Sequence, residues 1–277
     1  MTLTDLIKNR TALAGALITS AFLLAITIGP VLSPWDSGAF DFAATLKPPS
    51  GAHLFGTDSL GRDVLTRVLE GARVSLLISA GGVGAAMAIG VTVGLYAGYL
   101  GGWFDLTVMR VVDLFFGFPA FVLALFLMVV LGFGVVNVAL AIMLVYLPIF
   151  ARITRNSAEI VRNDAYIQAA RIMGQSTPRI LFLELLPNIS APILVQASIS
   201  IAFGIVIESG LSFIGLGVQP PTPSLGVIMA DGQEYFRPAP WVMTLTGLTI
   251  TVALLGLNLL GDGLRDLADP RLKSRGE

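Results

Sequence analysis

From Leu114 to Phe150 the chain runs 37 residues without one charged side chain. About 20 apolar residues of helix cross a bilayer core, so this run holds two membrane spans with a turn near Gly132-Phe133-Gly134. Four more apolar stretches repeat the pattern: Thr11–Leu32, Val74–Gly98, Ile189–Gly217 and Trp241–Leu260. Thr11–Leu32 is longer than the ~7–15-residue core of a signal peptide, and GPVLSP is not a small-residue cleavage site, so it reads as an uncleaved first span. Charged residues make up 13% of the 277 residues and mean hydropathy is +0.83, where a soluble domain carries about 25% charge. The expected fold is all-α: one polytopic membrane domain over 1–277 with six transmembrane helices, at about 11–32, 74–98, 114–132, 135–151, 189–217 and 241–260.

Basic residues orient the spans. With both termini cytoplasmic, the inner segments hold 12 of the Lys and Arg residues, from Lys8 and Arg10 to Lys273 and Arg275. The outer loops hold five: Lys47, Arg62, Arg67, Arg73 and Arg237. That excess satisfies the positive-inside rule. Residues 33–73 then form an extracytoplasmic loop. Its second half, Asp58–Arg73, reads as an amphipathic helix, with Leu60, Val64, Leu65, Val68 and Leu69 on one face and Asp63, Thr66, Arg67 and Glu70 on the other. It is expected to lie on the membrane or to pack on the bundle. Asp105, Arg110 and Asp113 mark a short inner turn, and the charges after Asn258 a solvated inner tail.

The longest charged interruption after residue 73 is the cytoplasmic segment 152–188. Asp164 stands where it can N-cap a helix over AYIQAARIM. Gly174 stands where a left-handed residue would stop that helix. Ser176-Thr177-Pro178 starts a second helix, with Pro at a position that needs no N–H. That helix is expected to end before Pro187, because the residue ahead of a proline leaves the α region. Ala165, Ala169, Ala170 and Gly174 form a small-residue patch that another surface can approach. Read blandly, the segment is a solvated amphipathic loop between two spans.

Gln168-Ala169-Ala170, Gly174 and Leu186-Pro187 resemble the Glu-Ala-Ala loop of the permease subunits of ABC importers, with Gln168 where that family usually has Glu. Phe55–Leu76, Glu208–Gly226 and Asn258–Lys273 resemble the oligopeptide, dipeptide and nickel branch of the same permeases. The resemblance implies a type I ABC-importer permease fold in a bacterial or archaeal plasma membrane. It implies that Asp164, Gln168, Ala169, Ala170, Arg171, Gly174, Leu186 and Pro187 couple the chain to an ATPase. The implied partners are a second homologous permease, two cytoplasmic ATP-binding subunits and an extracytoplasmic solute-binding protein. The implied cargo is a di- or oligopeptide, nickel complex, glutathione or oligosaccharide. ATP and magnesium would sit on the ATPases, leaving this chain without a cofactor and without enzymatic activity.

The remaining residues allow few other chemistries. There is no cysteine, so no disulfide, thiolate nucleophile or Cys metal site. His53 is the single histidine and has no second ligand for a metal. A net charge of −1 gives no footing for nucleic acid, and no GxxxxGK[ST] loop exists to hold ATP. Glu208 is the one carboxylate deep in an apolar run, where a charge costs roughly 2.5–3.5 kcal/mol to insert. It reads either as a translocation-path or gate residue, or as a structural acid, hydrogen-bonded or protonated, near the outer end of its helix. A self-sufficient ion-coupled carrier or channel built on Glu208 is the competing function. A membrane-embedded hydrolase lacks its nucleophile and base. Gly82, Ala86, Gly90, Gly94 and Gly98 recur every four residues, a stripe for close helix packing.

Overall fold

The structure is a computed structural model that describes residues 9–268; Lys8, Arg271, Lys273, Arg275 and the end of the Asn258–Lys273 block lie outside the described residues. The described residues form nine helices and no strand. In chain order these are α1 (Arg10–Leu32), α2 (Val64–Leu100), α3 (Gly102–Phe116), α4 (Ala120–Leu131), α5 (Val135–Val161), α6 (Ala165–Ile172), α7 (Thr177–Phe213), α8 (Leu225–Glu234) and α9 (Pro240–Ala268). A 3₁₀ turn covers Phe42–Ala44. Five of the nine are long and apolar enough to cross a membrane. The pair α3 and α4, bent by 93° at its break, raises this to six if counted as one span.

Several boundaries depart from the sequence reading. No separate amphipathic helix covers Asp58–Arg73. Residues 58–63 fold as a turn, with Asp58 Oδ1 accepting from the Leu60 and Arg62 amides at 2.9 and 3.0 Å. Asp63 then caps α2 by accepting from the Thr66 amide at 2.9 Å. From there α2 runs unbroken for 37 residues, about 55 Å, because nothing between Arg73 and Val74 stops a helix. Its first turns are buried rather than laid on lipid: Val64, Val68 and Ala72 pack with Phe22, Ile26, Ile205, Leu225 and Ile228. Thr66 and Arg67, expected on a polar outer face, are buried as well.

Asp105, Arg110 and Asp113 do not form a turn; they lie within α3. The turn is Gly101-Gly102, with φ +64° and +62°, which a side chain would disfavour. The expected single span 114–132 is instead split at Gly117-Phe118-Pro119. Pro119 has no N–H to continue α3 and pushes Phe118 out of helical geometry. The expected cytoplasmic segment 152–188 begins inside α5, which continues to Val161, since a first arginine does not end a helix. Nor does a helix end before Pro187. The backbone widens to a π-helical register over Ile180–Leu185 and runs on to Phe213. In that register Leu186 N donates to Leu181 O, five residues back. The Asn188 side-chain amide donates to Glu184 O at 2.6 Å. Likewise α9 passes Leu260 and stays helical to Ala268.

The stripe on α2 faces α5. A Cβ built on Gly82 would lie 2.6 Å from Ala139 O, on Gly90 2.7 Å from Leu147 O, and on Gly98 2.6 Å from Arg155 O; on Gly94 it would collide with Ala151 O. The offset between partners is constant, so the two helices run parallel, backbone on backbone. A second seam was not read from the sequence: Gly15, Gly256 and Gly263 bring α1 and α9 together antiparallel, against Leu260, Thr19 and Ala12.

Candidate functional site

At the end of the bundle where α2 and α5 finish, α6 lies with one face in and one face out. Ile167 and Ala170, three residues apart, point inward and are 0% and 2% exposed. They join Ala158, Leu95 and the α7 residues Ile180, Leu181 and Leu185 in one core. Ala170 therefore anchors the helix and is not part of an accessible small-residue patch; the 3.6-residue period puts it on the inner side. Ala165, Gln168, Ala169 and Gly174 are exposed. Beside them Ile172 and Met173 stand 86% and 70% exposed. Large apolar side chains that far into solvent at the end of a charged loop form a surface made to be covered.

The ends of α6 are held by backbone. Asp164 occupies the N-cap position in an extended conformation but makes no side-chain cap bond. The Gln168 amide instead donates to Asn163 O at 2.8 Å, a bond that a glutamate could not make. At the other end Gly174 has φ +75°, and Gln175 N donates to Ala170 O at 3.1 Å, closing a Schellman-type stop. Burial, with Asp164 and Glu184 nearby, holds the Tyr166 phenol above its ordinary value.

Arg171, exposed like its neighbours, reaches back to the end of α2. Its Nε donates to Tyr99 Oη at 2.9 Å, and its guanidinium carbon sits 4.4 Å from the Tyr99 ring centre. Just ahead of α6, Arg162 Nη1 donates to Gly98 O at 3.1 Å. Two arginines flanking the core of α6 thus grip consecutive residues at the carboxyl end of α2. Two other arginines tie α5 to α3. Arg155 forks onto Asp105 at 2.9 and 2.5 Å, and Arg152 pairs with Asp113 while covering the Phe116 ring at 4.0 Å. Leu186 and Pro187 are not brought to the outer face of α6. Leu186 lines an apolar groove of about 430 Å³ with Met87, Val91 and Ile193, and Pro187 is exposed on α7.

Glu208 lies toward the opposite end and is 0% exposed. Ser212 Oγ donates to it at 2.7 Å and Ser209 Oγ at 3.3 Å. The hydroxyls of Ser75 on α2 and Ser224, the N-cap of α8, face the same carboxylate. Ser75 Oγ also accepts from Leu225 N at 3.2 Å, and Ser212 Oγ from Val218 N at 3.0 Å. The carboxylate thus stands at a junction of α2, α7, α8 and the turn after α7, surrounded by hydroxyls. The far end of α8 is tethered too: Asp231 lies 3.4 Å from Arg62 and 3.7 Å from Arg67, which share Asp58. Burial raises the Asp231 carboxyl above its ordinary range against the pull of Arg67 and Arg62.

In the sequence Tyr99 reads only as one of an interfacial aromatic belt with Tyr96, Trp103 and Phe104; its contact with Arg171, the Arg155–Asp105 fork and the four serines were not singled out. Arg155 had a local signal, Glu159 four residues on. Ser212 lies one helical turn from Glu208 on the same helix, while Tyr99, Asp105, Ser75 and Ser224 come from other elements and leave no local signal.

Comparison with known proteins follows the same lines. Residues 90–274 match the family described as binding-protein-dependent transport system inner membrane component. Residues 1–49 match the N-terminal transmembrane domain of oligopeptide transport permease C. A dipeptide transport system permease protein of Alkalihalophilus pseudofirmus is 38% identical over 96% of this chain and 88% of its own length. A glutathione transport system permease protein of Pectobacterium atrosepticum is 38% identical over 97% and 89%. A probable D,D-dipeptide transport system permease protein of Escherichia coli is 39% identical over 92% and 86%.

Proposed function

This chain belongs to the family of binding-protein-dependent transport system inner membrane components, and we propose that it forms half of the path by which an ATP-driven importer takes small peptides into the cell. It is a transport subunit and not an enzyme, and it works with an ATPase and a solute-binding protein. The finer assembly we infer is one second, homologous permease and two ATP-binding subunits, with both termini of this chain cytoplasmic. Small peptides are the favoured cargo because the relatives above are named for dipeptides, glutathione and D,D-dipeptides. ATP and magnesium sit on the ATPases, leaving no cofactor in this chain.

The observation that carries the reading is the two-sided build of α6. Its inner residues Ile167 and Ala170 fasten it to the bundle, while Ala169, Ile172 and Met173 face out. In this reading the outer face docks into the ATPase, with Gln168 and Gly174 at its margins and Asp164 at its start. ATP binding shifts the transporter between inward- and outward-open states only through unequal affinity for the two. Because α6 is packed on the ends of α2, α5 and α7, it moves them as a body. Ile172 and Met173 supply the apolar anchors that dominate such interfaces. Leu186 and Pro187 support α7 rather than the contact itself. Glu208 acts as a structural acid that docks α8 between α2 and α7.

The test is co-purification from native membranes. The unmodified chain should bring the second permease and the ATPases, and Ala169→Arg should lose the ATPases while keeping the permease. Retention of the ATPases by Ala169→Arg at unmodified levels would reject the docking face.

A further inference from the structure

Resting on that docking reading, we propose that Tyr99, gripped by Arg171, is a positioning residue through which the docked helix drives α2, making α2 the rod that carries ATPase movement across the membrane. In sequence the loop joins α5 to α7. In space its arginines close on α2. The carbonyls of a helix's last turn have no partner within the helix and carry its negative dipole end. Arg162 takes one of these, Gly98 O. Arg171 holds the next residue at two points, with a hydrogen bond to the phenol oxygen and its charge over the ring, a contact that resists both sliding and rotation. Tyr99 is itself packed against the main core, so a push on Arg171 is delivered to α2.

What lies along α2 fits a transmitting element. It is one uninterrupted α-helix of 37 residues, whereas α7, equally long, contains a π segment and two internal prolines. Gly82, Gly90, Gly94 and Gly98 hold it backbone to backbone against α5. At its far end Ser75 reaches the Glu208 junction and the α8 amide of Leu225, and Gly71 lies against Ser224. A displacement at Tyr99 therefore arrives at the seat of α8 about 36 Å away along the axis.

The test uses the complete transporter in proteoliposomes with its binding protein and trialanine as the probe. Tyr99→Leu removes ring and phenol, Tyr99→Phe keeps the ring face, and Arg171→Gln changes only an exposed side chain, so it cannot unfold the bundle. Expected are ATPases co-purifying at unmodified levels in all three variants. Stimulation of ATP hydrolysis by loaded binding protein should fall about five-fold or more in Tyr99→Leu and Arg171→Gln, with most of it retained in Tyr99→Phe. Full stimulation in Arg171→Gln and Tyr99→Leu would overturn the proposal. So would loss of the ATPases from either variant, which would make the pair part of the docking shape. Failure of the docking reading shows separately, in ATPases retained by Ala169→Arg.

Discussion

Gly94 of α2 lies directly on the carbonyl of Ala151 in α5, with Thr154 Cβ 2.8 Å from where a side chain of its own would begin. The same contact recurs one turn away in each direction, so the seam leaves no room for growth. Gly94→Val should cost about 3 kcal/mol of stability or more, since backbone cannot yield as a flexible side chain does. Gly81, on the same helix but with nothing within 4 Å, is the contrast: Gly81→Ala should leave stability unchanged or raise it by up to about 1 kcal/mol. Melting of the purified transporter followed by near-ultraviolet circular dichroism checks both, and equal losses in the two variants would contradict the seam.

Glu208 is enclosed by hydroxyls rather than by an ion-coupling partner. Glu208→Gln keeps one acceptor oxygen, for Ser212, and turns an NH2 donor toward the Ser209 hydroxyl, which can accept instead, so uptake should stay near the unmodified rate. Glu208→Leu strands those hydroxyls, at about 1–3 kcal/mol for a buried polar group left unpaired, and should lower the melting temperature. Uptake of radiolabelled trialanine decides the first point; its abolition in Glu208→Gln would return the residue to the path.

The exposed pair Ile172 and Met173 makes a directional prediction about affinity. Ile172→Asp should weaken ATPase binding about ten-fold or more, the scale of losing one apolar anchor. Ile160, 78% exposed on α5, is the surface control and should tolerate Asp. Surface plasmon resonance with nanodisc-embedded permeases measures both.

Arg155 and Asp105 form the one two-pronged ion pair between α3 and α5 among the described residues. Asp105→Asn still leaves Arg155 paired with Glu159, whereas Arg155→Gln strands the buried Asp105 carboxylate, so Arg155→Gln should destabilise more than removing both charges together. A double-mutant cycle with Arg155→Gln should give a coupling of about 1–2 kcal/mol. Strictly additive effects would show that the pair holds nothing.

How much was legible can be judged residue by residue. That the chain crosses the membrane several times follows from charge-free length, because hydrocarbon leaves a backbone no alternative to helix; among the described residues five helices are long enough, and the bent pair α3 and α4 was not legible. Gly174 was legible because its left-handed geometry is a local need, met by the nearest residues. The end of the helix at Pro187 was misread because the helix runs on through a π register over Ile180–Leu185, a spacing that no proline rule contains. Ala170 was misread because the patch was drawn along the sequence, while the helix period sorts neighbours to opposite sides.

What the sequence determined by itself is a membrane-embedded helical bundle with a folded charged loop and a family likeness spread over four blocks, since span length, glycine spacing and turn chemistry act over a few residues. Only the tertiary structure decided that Arg171 turns to Tyr99, that Glu208 meets Ser75 and Ser224, and that α2 receives the loop together with its sequence neighbours α5 and α7. Those contacts join residues 72, 133 and 16 positions apart. They exist only once helices have packed, because a hydrogen bond reads distance in space and a sequence records distance along the chain.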